Sequence, residues 1–305
     1  MNRCRTFFIT ALSFVIASLL PAGCDLYRQD DYEEQYVVGS YLIANEPLPE
    51  VRLSTTAPFD ETYYFDERAV EAANILIHQY DEHGNHDRTF RYFQANRGIY
   101  KPELHAQKEL ILPRRTYRLE ITLPRDNNHR ITAETSVPDT FSVREVIRDK
   151  AFYQSSEQLE FRITSNRSNN RQNYFIYATK SLDPVEENLT PFWRDAVDDI
   201  NELARIRTNI VNEENFDVNP DGTLTLRMPW IGIAFYGRNI ISTFSIDDNT
   251  YDFYRSQSTQ TGGGPGTLPP GEIQNIIYKI DGGIGLFGSM SVLDIDAEVL
   301  RPPNL

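Results

Sequence analysis

Ile111-Leu112-Pro113-Arg114-Arg115-Thr116-Tyr117 is the stretch whose reading decides the fold. An aliphatic residue, a proline two later and a tyrosine four beyond that have the spacing of a tyrosine corner. In such a corner the phenol bonds back to upstream backbone and locks a crossover between two packed sheets. The residues on either side agree. Tyr117 to Leu123 alternates as a half-buried strand should, Pro124-Arg125-Asp126-Asn127-Asn128 turns the chain, and Arg130 to Thr135 returns it before Val137-Pro138-Asp139 closes the unit. Upstream, Tyr36 to Ile43 and Val51 to Thr56 read as strands joined by the Asn45–Pro49 turn. Ala72 to Tyr80 follows, with Ile75 and Ile77 on one face, and a turn at Asp81-Glu82-His83-Gly84-Asn85 leads into Arg88 to Phe93.

About seven short strands in this span is the count of one sandwich. The expected architecture is therefore mainly β. It has an N-terminal fibronectin-III/immunoglobulin-like β-sandwich over 36–140 and a second β-rich domain over 141–305 with one or two short helices. Strands are expected in the second part at Phe141 to Ile147, Leu159 to Thr164, Tyr174 to Thr179, Leu224 to Trp230, Ile231 to Tyr236, Ile240 to Ile246, Ile276 to Ile280 and Ser291 to Val299. One helix should start near Thr190 and Pro191, with Phe192, Val197, Ile200 and Leu203 at near-helical spacing. Another should span Asp247 to Ser256, capped by Asp248 or Asn249.

The N-terminus speaks of location. Arg3 and Arg5 precede an uncharged, mostly apolar run from Phe7 to Leu20, too short for a membrane-spanning helix and right for a secretory signal over 1–23. Leu20-Pro21-Ala22-Gly23-Cys24 resembles a lipoprotein processing site, although Pro21 stands where leucine is usual. Lipidation of Cys24 fits the cysteine count, because Cys4 leaves with the signal and Cys24 then has no partner. Its acyl chains supply a stable membrane anchor. Residues 24–35 read as a solvated tether, in which Asp30, Asp31, Glu33 and Glu34 form a possible export signal or a plain acidic spacer. The net charge of −14 becomes −16 once Arg3 and Arg5 are removed. Such a surface repels nucleic acid and anionic head groups, so nucleic acid is not an expected partner.

The sequence carries no catalytic or metal signature. His78, His83 and His86 lie on and around a hairpin turn without a cysteine to complete a structural zinc set. Asp247-Asp248-Asn249 with Asp252 lacks the ligand spacing of a calcium loop, and helix capping accounts for it. The glycines at 262–264 and 266 lack the Lys-Ser/Thr of a phosphate-cradling loop. Gly282-Gly283-Ile284-Gly285 runs toward a strand where a dinucleotide fingerprint would open a helix. Adjacent acids such as Asp198-Asp199 are expected in so acidic a chain. Trp193, Trp230, Tyr236 and Tyr251 suit either core packing or a ligand-lining surface. No cofactor is expected.

Several stretches together resemble one family. They are the acidic tether after Cys24, Tyr36 to Ile43, Glu46 to Pro58, Arg115 to Thr122, Ile131 to Thr140 and Asp281 to Ser289. They resemble the domain-of-unknown-function 4249 family of Bacteroidota-type lipoproteins. The resemblance implies an outer-membrane, lipid-anchored protein at the cell surface or periplasmic face, often encoded beside TonB-dependent receptors, and brings no catalytic residues. The expected function is a non-enzymatic accessory that binds a ligand or docks on such a receptor. A structural or adhesive surface module is the second reading, and a carboxylate-based hydrolase the third.

Overall fold

The computed structural model describes residues 32–58, 60–166, 173–194, 199–208, 210–212, 216–260 and 275–303. The expected signal, Cys24, Asp30, Asp31, Asp198 and the 262–266 glycines lie outside them. The described residues 32–34, 57, 58 and 60–62 belong to one unit and those of 35–56 and 63–305 to another, and the fold below is that of the second.

The strands are β1 (Tyr36–Ile43), β2 (Val51–Thr55), β3 (Asn74–Tyr80), β4 (His86–Asn96), β5 (Ile99–Pro102), β6 (Thr116–Leu123), β7 (His129–Ser136), β8 (Val143–Arg148) and β9 (Lys150–Phe152). They continue as β10 (Glu160–Ile163), β11 (Tyr174–Ser181), β12 (Arg205–Arg207), β13 (Val211–Asn212), β14 (Asp217–Val218), β15 (Leu224–Arg227), β16 (Gly237–Ile246), β17 (Ile280–Asp281) and β18 (Ile284–Leu300). The helices are α1 (Phe65–Arg68), α2 (Pro191–Arg194), α3 (Ile200–Leu203) and α4 (Asp248–Gln260).

The chain is mainly β. Among the described residues one long sheet runs β12-β11-β16-β18-β1-β2-β5-β4-β3-β6-β7-β17, with β13 on β11 and β9 on β18. Its second stretch curls back, because β17 pairs with β7 and is joined through Gly282-Gly283 to β18, the partner of β1. Inside the curl lies a core that includes Val38, Leu53, Ile75, Ile77, Tyr100, Ile111, Leu119, Ile121 and Phe287. The alternation that made these strands legible puts one apolar face inside. Each fully buried large side chain contributes about 1.5–3 kcal/mol. A separate four-stranded sheet, β14-β15-β10-β8, packs against β11, β16 and β18 over a second core. Phe161, Ile163, Leu224 and Leu226 face Phe175, Tyr177, Ile241, Ile295 and Val299 there.

The tyrosine corner is present. The Leu112 amide donates to the Tyr117 hydroxyl at 2.9 Å, and that hydroxyl donates to Gln79 Oε1 at 3.3 Å. Gln79, itself buried, donates to Asp87 at 2.7 Å. Burial raises the Tyr117 phenol above its ordinary pKa, so it stays a donor at neutral pH. Tyr117→Phe leaves the Leu112 amide and Gln79 Oε1 without their partner. The expected loss is about 1–3 kcal/mol of stability in urea unfolding, and an unchanged midpoint would remove the corner as a lock.

β18 ties the two cores together. Its first half pairs in parallel with β1, from Val37↔Ile284 to Ile43↔Met290, and its second half pairs antiparallel with β16 up to Gly237↔Val299. The glycine run at its start has a steric role. Gly285 sits at φ +111°, and a Cβ there would lie 2.1 Å from the Val38 carbonyl oxygen. At Gly288 a Cβ would meet Thr250 Oγ1 at 2.3 Å, so this glycine lets α4 approach the sheet.

Several expectations change. The α4 cap is Asp247, ahead of both residues expected. Its Oδ1 accepts the Thr250 amide at 3.0 Å, which frees Asn249 to donate to the carbonyls of Glu134 and Phe287. The helix expected from Thr190 is seen as α2 and α3, with 195–198 outside the described residues. Thr190 stands just before α2: its carbonyl accepts the Trp193 and Arg194 amides, and its hydroxyl donates to the Ile233 carbonyl. Asp199 caps α3 by accepting the Asn201 amide at 2.9 Å. Ile231 to Tyr236 is not a strand. Pro229 leads into a 3-10 turn at Trp230–Gly232, and the amides beyond it bond locally or to the 188–190 segment. Of Ile276 to Ile280, Ile280 alone enters a strand.

Candidate functional site

The histidines make a local hydrogen-bonded group. His78 Nδ1 and His86 Nε2 both reach the Thr89 hydroxyl, at 2.9 and 2.8 Å, while His83 lies in the exposed turn. Burial lowers the His78 pKa, partly offset by Glu120. Among the described residues no three His, Cys, Asp or Glu side chains are placed to hold a metal ion. Asp252 pairs with Lys279 at 3.2 Å, and Glu33 and Glu34 are exposed.

The aromatic residues divide. Tyr236 is buried, and Trp230 packs on the second core while donating to the Ser155 carbonyl at 3.2 Å. Tyr251 stacks on Tyr174 at 3.7 Å between ring centroids. Trp193 packs against a small third core of Leu189, Leu203, Ala234 and Phe235 and donates to the Ile231 carbonyl at 3.1 Å. That bond holds α2 against the Trp230–Gly232 turn. It also brings α2, where Phe192 lies edge-on to Trp193 at 5.3 Å, against the turn that carries Ile231. Phe192 is 50% and Ile231 57% exposed, with Leu182 and Val185 exposed on the same connecting segment.

The position of this apolar knuckle follows from β18. The segment 182–194 is bonded near the far end of that strand: Leu182 N–H donates to the carbonyl of Arg238 on β16, which pairs with Glu298 of β18, and the guanidinium of Arg301, just past β18, reaches Glu187 and Asn188. β1, onto which the tether leads, starts beside the opposite end of β18. With 17 residues in β18, at about 3.3 Å each, up to about 55 Å of strand separates the two ends. The second core also has a narrow apolar recess lined by Phe161, Tyr177, Phe216, Leu226, Met228 and Ile241, where the buried Tyr177 hydroxyl has no hydrogen-bond partner among the described residues.

The model of one family, described as "Domain of unknown function (DUF4249)", matches residues 25–296. The chain belongs to the DUF4249 family. No curated protein matches this DUF4249 chain. Among solved structures it is similar to Escherichia coli alpha-2-macroglobulin activated by porcine elastase, at 9% identity and a TM-score of 0.24, covering 89% of this chain and 21% of that one. It is also similar to a tetra-tandem repeat in the extending region of a large adhesion protein, at 12% identity and a TM-score of 0.20, covering 87% and 49%. A third is protocadherin gamma B2 extracellular cadherin domains 3–6, at 8% identity and a TM-score of 0.19, covering 89% and 51%. The chain thus spans about a fifth of that macroglobulin and half of the other two.

Sequence reasoning singled out Trp193 on this DUF4249 chain but placed Phe192 among apolar residues at near-helical spacing and Ile231 in a strand. The structure puts both at the surface. The available signal was Pro229 followed by Gly232, which favours a tight turn over a strand.

Proposed function

We propose that this chain is a non-enzymatic accessory of the outer membrane, anchored by lipid on Cys24 and docking on a TonB-dependent receptor through the Phe192–Trp193–Ile231 knuckle. One observation carries the reading: two large apolar side chains, Phe192 and Ile231, are half exposed on two segments tied together by the Trp193 bond to the Ile231 carbonyl. Rigid aromatic and aliphatic residues standing out of a well-packed base are the chemistry of an interface anchor. The knuckle lies near the end of β18 opposite the start of β1, and the chain is strongly acidic. Both features suit a protein partner better than an anionic lipid surface. The lipid and the acidic tether, with Asp30, Asp31, Glu33 and Glu34 as its export signal, would keep the knuckle at high local concentration near a barrel.

The test is a pull-down of the tagged, lipidated protein from detergent-solubilised native outer membrane. Wild type should recover one stoichiometric barrel receptor. The Phe192→Asp/Ile231→Asp variant should recover roughly tenfold less or lower still, and Cys24→Ala should also weaken recovery. Recovery of the wild-type protein alone would contradict docking and favour a structural or adhesive surface role.

A further inference from the structure

A second group of side chains, separate from the knuckle, gathers over α4. Tyr254 on α4 and Tyr41 on β1 bring their hydroxyls to 3.5 Å. Arg207, at the end of the edge strand β12, lays its guanidinium carbon 4.7 Å from the centre of the Tyr254 ring. Among the described residues Arg207 has no carboxylate partner, in a chain with 44 acidic residues. Stacking orients the guanidinium plane and leaves its N–H edges to donate. Between them the two phenols need one proton for their mutual bond, so the other remains for a ligand. Burial, then the Tyr254 hydroxyl, hold Tyr41 well above the ordinary tyrosine pKa, while Arg207 pulls the other way. Tyr41 therefore stays protonated at neutral pH, and Arg207 is close enough to be felt.

We infer that Arg207, Tyr41 and Tyr254 form a binding site for an oxyanion, a phosphate or carboxylate group carried by a small molecule. The guanidinium supplies a charge-assisted fork and the phenol pair a neutral donor beside it. Three elements converge on the site, and α4, which carries Tyr254, is fixed by Asp247 and by the Asn249 bonds to Glu134 and Phe287. The geometry is therefore set before a ligand arrives, which lowers the ordering cost of binding. The inference goes beyond receptor docking and does not depend on it.

The experiment titrates the purified chain with sodium phosphate, sodium acetate and sodium chloride at matched ionic strength and follows side-chain NMR signals of arginine and tyrosine. Saturation by phosphate or acetate, with chloride silent, is the expected result, and the stronger of the two identifies the ligand group. Arg207→Gln should weaken that response about tenfold or more. Tyr254→Phe, which keeps the ring under the guanidinium, should weaken it roughly threefold. Unfolding midpoints equal to wild type would show both variants folded. Absence of a saturable response in wild type, a chloride effect equal to that of phosphate and acetate, or an unchanged response in Arg207→Gln would each overturn the site.

Discussion

Gly285→Ala is expected to cost roughly 3–5 kcal/mol, enough to remove much of the stability of an ordinary domain. Two effects add. The φ of +111° is a conformation that L side chains rarely adopt, and the new methyl would sit 2.1 Å from the Val38 carbonyl oxygen and 2.9 Å from the Val38 nitrogen. Both contacts are backbone atoms of β1 in register with Gly285, so no side chain can swing aside. The β1–β18 ladder would have to part or shift, and with it the strand shared by both cores. Gly84 is the internal control. It has φ +79° but nothing within 4 Å of the place a Cβ would take, so Gly84→Ala bears the left-handed backbone cost alone, about 1–2 kcal/mol. Urea unfolding of the two variants side by side separates strain from collision. Equal midpoints would mean that β18 does not run beside β1 as described.

Asp247→Ala is expected to cost about 3–5 kcal/mol, from three partners lost at once. The buried carboxylate accepts the Thr135 hydroxyl at 2.6 Å on Oδ2, and the amides of Thr250 and Ser289 at 3.0 and 3.1 Å on Oδ1. One side chain therefore caps α4, satisfies an amide of β18 and reaches across to β7. Alanine leaves two buried amides without acceptors. Asp247→Asn keeps Oδ1 for both amides and turns an N–H₂ toward Thr135, whose hydroxyl can accept, so about 1–2 kcal/mol is expected. Thermal unfolding of both variants checks this ranking. An alanine variant as stable as the asparagine variant would show that the amides find other partners.

Local patterns in the sequence were read well where local physics decides. β1 occupies the expected residues, and β6 and β7 differ from expectation by a residue at their ends, because alternation and turn residues fix such strands. The corner at Tyr117 was legible for the same reason: proline, arginine and tyrosine act within a few residues. The parallel pairing of β1 with β18 was not, since nothing local in Tyr36 to Ile43 names a partner almost the whole chain away. The glycines of that pairing were visible, but their role depends on Val38. The α4 cap was missed by one residue because Asp247, Asp248 and Asn249 are all good cap residues, and Thr135 and Ser289 select among them. At the candidate site, apolar periodicity hid an exposed knuckle. Arg207, Tyr41 and Tyr254 share no sequence neighbourhood and meet through α4.

The most direct test of the accessory reading is photocrosslinking in the intact native membrane, with a photoreactive phenylalanine analogue at position 231 and a control at position 84. The account predicts one crosslinked product at position 231, an outer-membrane barrel receptor, absent at the Gly84 turn and reduced when Phe192 is replaced by Asp. No product at position 231, or the same products from both positions, would contradict it.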